Sequence, residues 1–192
     1  MIYLLIASYL IGSISSAVII CKILGIPDPR TQGSKNPGAT NVLRLGGKKI
    51  AGFVLTFDGL KGATPVIIGH YLEFGLTQLT LIGLCAFFGH IFPVFFRFRG
   101  CKGVATYLGG LIAINLLVGL IFSVIWLLVA KVLKTSSLAA LIATALSPFY
   151  FYLITGDMAS TLIIGLISLL IFYTHRDNIK RLINKEEDVI QS

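Results

Sequence analysis

The chain is predicted to fold as an all-α, polytopic membrane helix bundle with seven transmembrane helices, and three observations carry that expectation. Hydrophobic side chains make up 56% of the 192 residues and charged ones 12%, with a mean hydropathy of +0.90, which is more apolar surface than one small soluble core could bury. Uncharged stretches of about 20 residues, the length a spanning helix needs, recur along the whole chain. Lys and Arg gather in the segments between them. Residues 1–192 therefore read as a single integral membrane domain, with no room for a separate soluble one.

Residues 1–21 carry no charge and lack both a basic leader and an A-x-A-like cleavage site, so they read as a retained first helix. The second runs from Ile50 to about His70; Asp58 and Lys61 interrupt its apolar run but, three positions apart, can pair with each other. The third covers 74–96. Residues 104–130 hold 27 uncharged positions, about 40 Å as one helix against a hydrocarbon core of about 30 Å. One tilted helix or two short ones would fit, and charge decides. If the stretch turns near Asn115, the basic loops Arg30 to Lys49, Arg97 to Lys102, Lys131 to Lys134 and Arg176 to Lys185 share one face, while the other carries Glu73 and Asp157. The fourth and fifth helices are therefore separate, and 135–156 and 158–175 supply the sixth and seventh. The N-terminus is expected outside and the C-terminus in the cytoplasm. The segment after His175 alternates charged and apolar residues at helical spacing and reads as an interfacial amphipathic tail.

A net charge of +8 in such a chain suits anionic lipid heads and phosphorylated substrates, not nucleic acid. Cys21, Cys85 and Cys101 form no CxxC pair and read as small buried hydrophobes. No tandem repeat or low-complexity tract is present.

Four polar clusters stand out. Residues 26–49 are rich in Gly, Asn, Ser and Thr; Pro37, Gly38, Ala39, Thr40 and Asn41 look like a turn entering a helix, which would aim backbone N–H groups at one anion. Ser34 adds a neutral donor, and Lys35 and Arg44 add charge. Taken alone, such a stretch is also simply a loop, and the P-loop pattern is absent. Residues 89–106 place His90 and Pro93 at a helix end and Lys102 just before the next helix, where a shared anion would offset the repulsion between ammonium and helix dipole. Asp58 and Lys61 are intramembrane ions, either a structural pair or functional groups. His175 and Asn178 lie one turn apart where the last helix leaves the membrane, with Lys180 and Arg181 following. Snorkelling cations and a packing histidine would account for several of these residues individually. Their convergence on one predicted face is the stronger signal.

These residues resemble the acyl-phosphate-dependent glycerol-3-phosphate acyltransferases of bacteria, the PlsY family, over nearly the whole chain. The family pattern Gly-Ser-Gly-Asn-x-Gly-Ala-Thr-Asn with a later Arg is matched by Gly33, Ser34, Asn36, Gly38, Ala39, Thr40, Asn41 and Arg44, with Lys35 replacing a glycine. Asp-x-x-Lys-Gly is Asp58, Lys61 and Gly62. Gly-His-x-x-Pro is Gly89, His90 and Pro93, and Gly-Lys-Gly-Val-Ala-Thr ends in Lys102 to Thr106, with Cys101 where a glycine is usual. His-Arg-x-Asn-Ile is His175, Arg176, Asn178 and Ile179, and Leu10 to Ala17 matches a further motif with Ser15 in place of proline.

The resemblance implies transfer of an acyl group from acyl phosphate to the 1-hydroxyl of glycerol 3-phosphate, giving 1-acyl-glycerol 3-phosphate (lysophosphatidic acid) and phosphate. It implies Ser34, Arg44, Lys102, His175 and Asn178 as catalytic residues holding the glycerol phosphate, Gly38 to Asn41 at the acyl phosphate head, and further substrate contacts at Lys61, His90 and Gly103. The expected partners are acyl phosphate, glycerol 3-phosphate and membrane lipids, with no nucleic acid, no obligatory protein partner, no cofactor and no metal. The expected location is the bacterial inner membrane, multi-pass, with the site facing the cytoplasm. The His-x4-Asp pattern of other acyltransferases is absent at His70, His90 and His175. A CDP-alcohol phosphotransferase would need spaced aspartates beyond Asp58, and these are missing. A small anion transporter would need inverted-repeat hydropathy, which is not apparent.

Overall fold

The computed structural model describes residues 1–189, and the described residues form nine α-helices: α1 Ile2–Gly12, α2 Ser16–Ile23, α3 Ala39–Tyr71, α4 Leu76–Ile91, α5 Val104–Ile114, α6 Leu116–Leu133, α7 Ser136–Thr155, α8 Met158–Thr174 and α9 Arg176–Ile183. A short 3-10 turn, Val94–Phe96, follows α4.

The first apolar stretch, expected as one helix, is two, bent by 43°. Ser13 Oγ donates back to Tyr9 O at 2.8 Å, and Ser15 is extended, so the ladder stops between them. The break frees the carbonyl of Ile14, which accepts from Lys61 Nζ at 2.7 Å. α3 is two helical segments that meet at Gly47, whose φ 82 and ψ 178 are not helical, so the second segment starts close to the expected Ile50, while the first, from Ala39, lies within the polar stretch 26–49. That φ favours glycine, which has no Cβ to clash.

The long uncharged stretch divides at Asn115, whose extended backbone ends α5 and whose Oδ1 accepts from Val118 N at 3.1 Å, capping α6. α5 has 11 residues, about 16 Å, half of a hydrocarbon core. Four helices, α3, α4 with its following turn, α6 and α7, are long and apolar enough to cross a membrane, or up to six if each bent pair, α1 with α2 and α8 with α9, is one span.

Lipid tails are as apolar as leucine, so helix association in a bilayer depends on close contact more than on hydrophobic burial. Glycine supplies it here. A Cβ at Gly62 would overlap the carbonyl of Thr106, and one at Gly109 the carbonyl of Gly59, so α3 and α5 meet backbone to backbone. Gly12 against Ala86 and Gly89 against Tyr9 do the same for α1 and α4. Phe87, Leu111, Phe122, Phe151, Ile164 and Ile171 fill the core between helices, while Leu120, Leu127 and Leu162 point outward. A smaller cluster, Ala17, Cys21, Val42 and Val54, anchors the start of α3 against α2 and so fixes the loop between them.

Candidate active site

The loop before α3 is shaped by one side chain. Asn41, 1% exposed, donates from Nδ2 to Pro29 O (2.9 Å) and Gln32 O (3.0 Å), and its Oδ1 accepts from Ser34 N at 3.1 Å. Gly33, at φ 58, has no side chain that would collide with that carboxamide. Gly38 is extended and caps α3, its carbonyl accepting from Asn41 N and Val42 N. The N–H groups of Ala39 and Thr40 are left at the first turn without intrahelical acceptors, a position suited to an anion. The hydroxyls of Ser34 and Thr40 are exposed beside them. The structure thus brings Gly38, Ala39, Thr40 and Ser34 together and commits the amide of Asn41 to the loop backbone.

The second loop rests against the first through Asn36, which donates to Cys101 Sγ at 3.3 Å. Cys101 N in turn donates to His90 O. Gly103, at φ 89, starts α5, and a Cβ there would enter the ring of Phe87. Lys102, just before it, is turned toward the joint of α8 and α9: Nζ donates to Asn178 Oδ1, and its carbonyl accepts from Thr174 Oγ1 at 3.2 Å. Burial is the largest influence on the Lys102 ammonium and pulls its pKa below the ordinary lysine value.

α8 and α9 meet at a 60° bend on His175. His175 is 3% exposed, and Nδ1 donates to Ile171 O at 2.8 Å, which leaves Nε2 with the lone pair when the ring is neutral. Burial first, and the Lys102 charge second, pull its pKa down to about 4, so it is neutral near pH 7. Asn178, one turn on, donates from Nδ2 to Glu187 Oε1. Glu187 also accepts from Ser137 Oγ (2.7 Å) and Arg181 Nε (2.7 Å). Burial opposes its ionisation, but these hydrogen bonds and the Arg181 charge outweigh it and hold the carboxyl below its usual range. Asp188 Oδ2 lies 3.0 Å from the Arg44 guanidinium.

Lys102, His175 and Asn178 therefore form one cluster. Arg44 reaches its edge through the tail that carries Glu187 and Asp188, and the Ser34 loop leans on it through Cys101. Lys61 and His90 belong to a second, deeper cluster. Asp58 Oδ1 takes Lys61 Nζ at 2.8 Å and Ser16 Oγ at 2.7 Å, with His90 Nδ1 at 3.7 Å. This group ties α2, α3 and α4 together behind the loops. Ser137, Thr174 and Glu187 belong to none of the four polar clusters; the acidic run Glu186, Glu187 and Asp188 closing an otherwise basic tail is the signal that points to Glu187.

Residues 2–185 match the family described as glycerol-3-phosphate acyltransferase. The chain belongs to this family. It is 61% identical over 189 residues to the glycerol-3-phosphate acyltransferase of Ruthia magnifica subsp. Calyptogena magnifica, covering 98% of this chain and 96% of that protein. The fold of this acyltransferase is similar to the crystal structure of PlsY (YgiH), an integral membrane glycerol 3-phosphate acyltransferase, in its glycerol 3-phosphate form. The TM-score is 0.94 at 38% identity, covering 99% of this chain and 95% of that one. The lysophosphatidic acid form of PlsY gives a TM-score of 0.91 at 37% identity, covering 98% and 94%. Like PlsY, this acyltransferase is an integral membrane protein of several apolar helices.

Proposed function

We propose that the chain is an acyl-phosphate:glycerol-3-phosphate O-acyltransferase, acting as a single domain of seven spans in the bacterial inner membrane, N-terminus outside, with its site and C-terminus at the cytoplasm. α5 is the short seventh crossing, completed by the loops at its ends. The observation that carries the reading is the cluster of half-buried Lys102 with buried His175 and Asn178, beside the N–H groups of Ala39 and Thr40 at the start of α3. Two anion-holding centres in one place suit a reaction whose substrates both carry phosphate.

Ser34, Arg44, Lys102 and Asn178 hold glycerol 3-phosphate, and the start of α3 from Gly38 holds the acyl phosphate head, with Asn41 setting the loop. The 1-hydroxyl oxygen attacks the acyl carbonyl carbon; the C–O bond to phosphate breaks, and phosphate leaves with that electron pair. Neutral His175 is a weak base, so its Nε2 orients the hydroxyl by accepting its hydrogen bond, and the proton passes to a substrate phosphate oxygen. Orientation of two bound reactants supplies most of the acceleration, and Lys102 stabilises the oxyanion. Lys61, His90 and Gly103 act from behind, by holding the loops at the substrate.

The test is phosphate release by the purified protein given palmitoyl phosphate with and without glycerol 3-phosphate, with palmitoyl-CoA as a parallel donor. Release requiring both phosphorylated substrates, absent with the CoA ester and abolished in Lys102→Ala, is expected. Folded protein without glycerol-3-phosphate-dependent release would overturn the reading.

A further inference from the structure

A groove of about 550 Å³ runs along the outer side of α7 and α8, lined by Ala145, Pro148, Gly165, Leu166, Ser168 and Phe172 among others. Two features mark it as built for hydrocarbon. Pro148, inside α7, has no N–H for the carbonyl of Thr144. That carbonyl accepts instead from Ser147 Oγ at 2.7 Å and Ser168 Oγ at 3.2 Å, so no bare backbone acceptor is left there.

Gly165 is the second feature. A glycine inside a helix costs about 1 kcal/mol relative to alanine. Gly62 and Gly109 have a packing reason, the backbone of the facing helix, whereas a Cβ at Gly165 would meet no atom within 4 Å. What the glycine preserves is the space itself.

The groove also leads to the candidate site. Phe172 lies one turn before His175, and Ser168, seven residues before it, shares its face to within about 20°. Thr174, beside them, holds the Lys102 carbonyl. Gly165 is ten residues from His175, about 15 Å along α8.

We propose that this groove seats the acyl chain of the acyl phosphate, and that Gly165 sets the chain length it accepts. The inference rests on the acyl-transfer reading above. A chain whose carbonyl lies beside His175 passes Gly165 only if it is long; a short one ends before reaching it. Because the groove opens to lipid, such a chain enters sideways from the bilayer.

The test compares kcat/KM for palmitoyl phosphate and octanoyl phosphate in the wild type, Gly165→Ala, Gly165→Phe and a lipid-facing control outside the groove, Leu120→Phe. Gly165→Phe is expected to lower the palmitoyl-to-octanoyl ratio by about tenfold or more, chiefly through the palmitoyl value, with Gly165→Ala intermediate and Leu120→Phe unchanged. An unchanged ratio, or an equal fall for both chains, in Gly165 variants with wild-type thermal stability would assign the groove to bulk lipid and overturn the proposal. A wild type that releases no phosphate from either substrate would instead overturn the acyl-transfer reading, and this assignment with it.

Discussion

Lys102 and Asn178, 76 positions apart in the chain, meet through a hydrogen bond from the ammonium to the amide oxygen, and the direction of that bond is set by Glu187. An ionised carboxylate only accepts, so it takes the NH2 side of Asn178 and turns the oxygen toward Lys102. Glu187→Gln replaces one acceptor oxygen with a donor and removes the charge. The expected result is a lower kcat, together with a fall in thermal unfolding temperature in detergent. A variant with wild-type values of both would show that Asn178 orients itself.

The same carboxyl gives a pH signature. Its folded pKa lies below the unfolded value, so its contribution to stability is fully present above the ordinary Glu range and is lost as pH falls through the folded value. The unfolding temperature of the wild type is expected to drop on acidification below about pH 4.5, and Glu187→Gln to show a flatter profile. Parallel curves for the two proteins would contradict this.

Lys102 titrates in the opposite sense. Burial depresses its folded pKa, so in the empty site the ammonium is lost at a lower pH than for an exposed lysine. A substrate phosphate favours the protonated form, and binding is linked to keeping or taking up that proton. The KM for glycerol 3-phosphate is expected to be lowest below this pKa and to rise as pH climbs through it. A KM independent of pH up to the ordinary lysine value would exclude Lys102 from phosphate binding.

Arg44 is paired with Asp188, and both are exposed, 40% and 62%. A phosphate reaching Arg44 displaces this carboxylate. Exposed pairs are worth about 0.2–1 kcal/mol, so Asp188→Asn is expected to lower the KM for glycerol 3-phosphate by up to about fivefold with kcat little changed. Steady-state kinetics at two salt concentrations checks this, because the difference between the proteins should shrink as salt rises.

At the contact of α3 with α5, Gly62→Leu has no room to relax, since the atoms it meets are backbone. Overpacking of this kind costs about 1–3 kcal/mol. The expected outcome is a lower unfolding temperature and reduced activity toward acyl phosphates of every chain length, because the helix that follows Lys102 is pushed away. Wild-type stability would mean that the helices separate freely.

Much of this architecture is legible in the chain, for identifiable reasons. The break at Asn115 could be read because charge on the flanking loops constrains how often the chain crosses, and asparagine caps helices well. The bend between α1 and α2 could not: Ser13, Ile14 and Ser15 carry no charge, and the serine that stops the ladder does so by a local hydrogen bond. The helical segment before Gly47 was not legible as such: it breaks from the rest of α3 at that glycine, and its place is set by Val42, which packs on α2 together with Val54 from beyond the kink. In the site, the residue types of Lys102, His175 and Asn178 were visible at turn and helix-end spacing. Glu187 was hidden, because it reaches Asn178 only after the chain reverses beyond α9, where Lys185 takes a positive φ.

The glycine contacts that join α3 to α5 and α1 to α4 have a consequence for the setting in which such a catalyst works. Backbone atoms in direct contact fix the spacing of those helices, whatever lipids surround them. The gap between the head of α3 and the Lys102 loop is thus set inside the protein. An enzyme feeding bilayer growth alters the thickness and fluidity of its own solvent, and a site framed in this way keeps its dimensions as the membrane around it is remade.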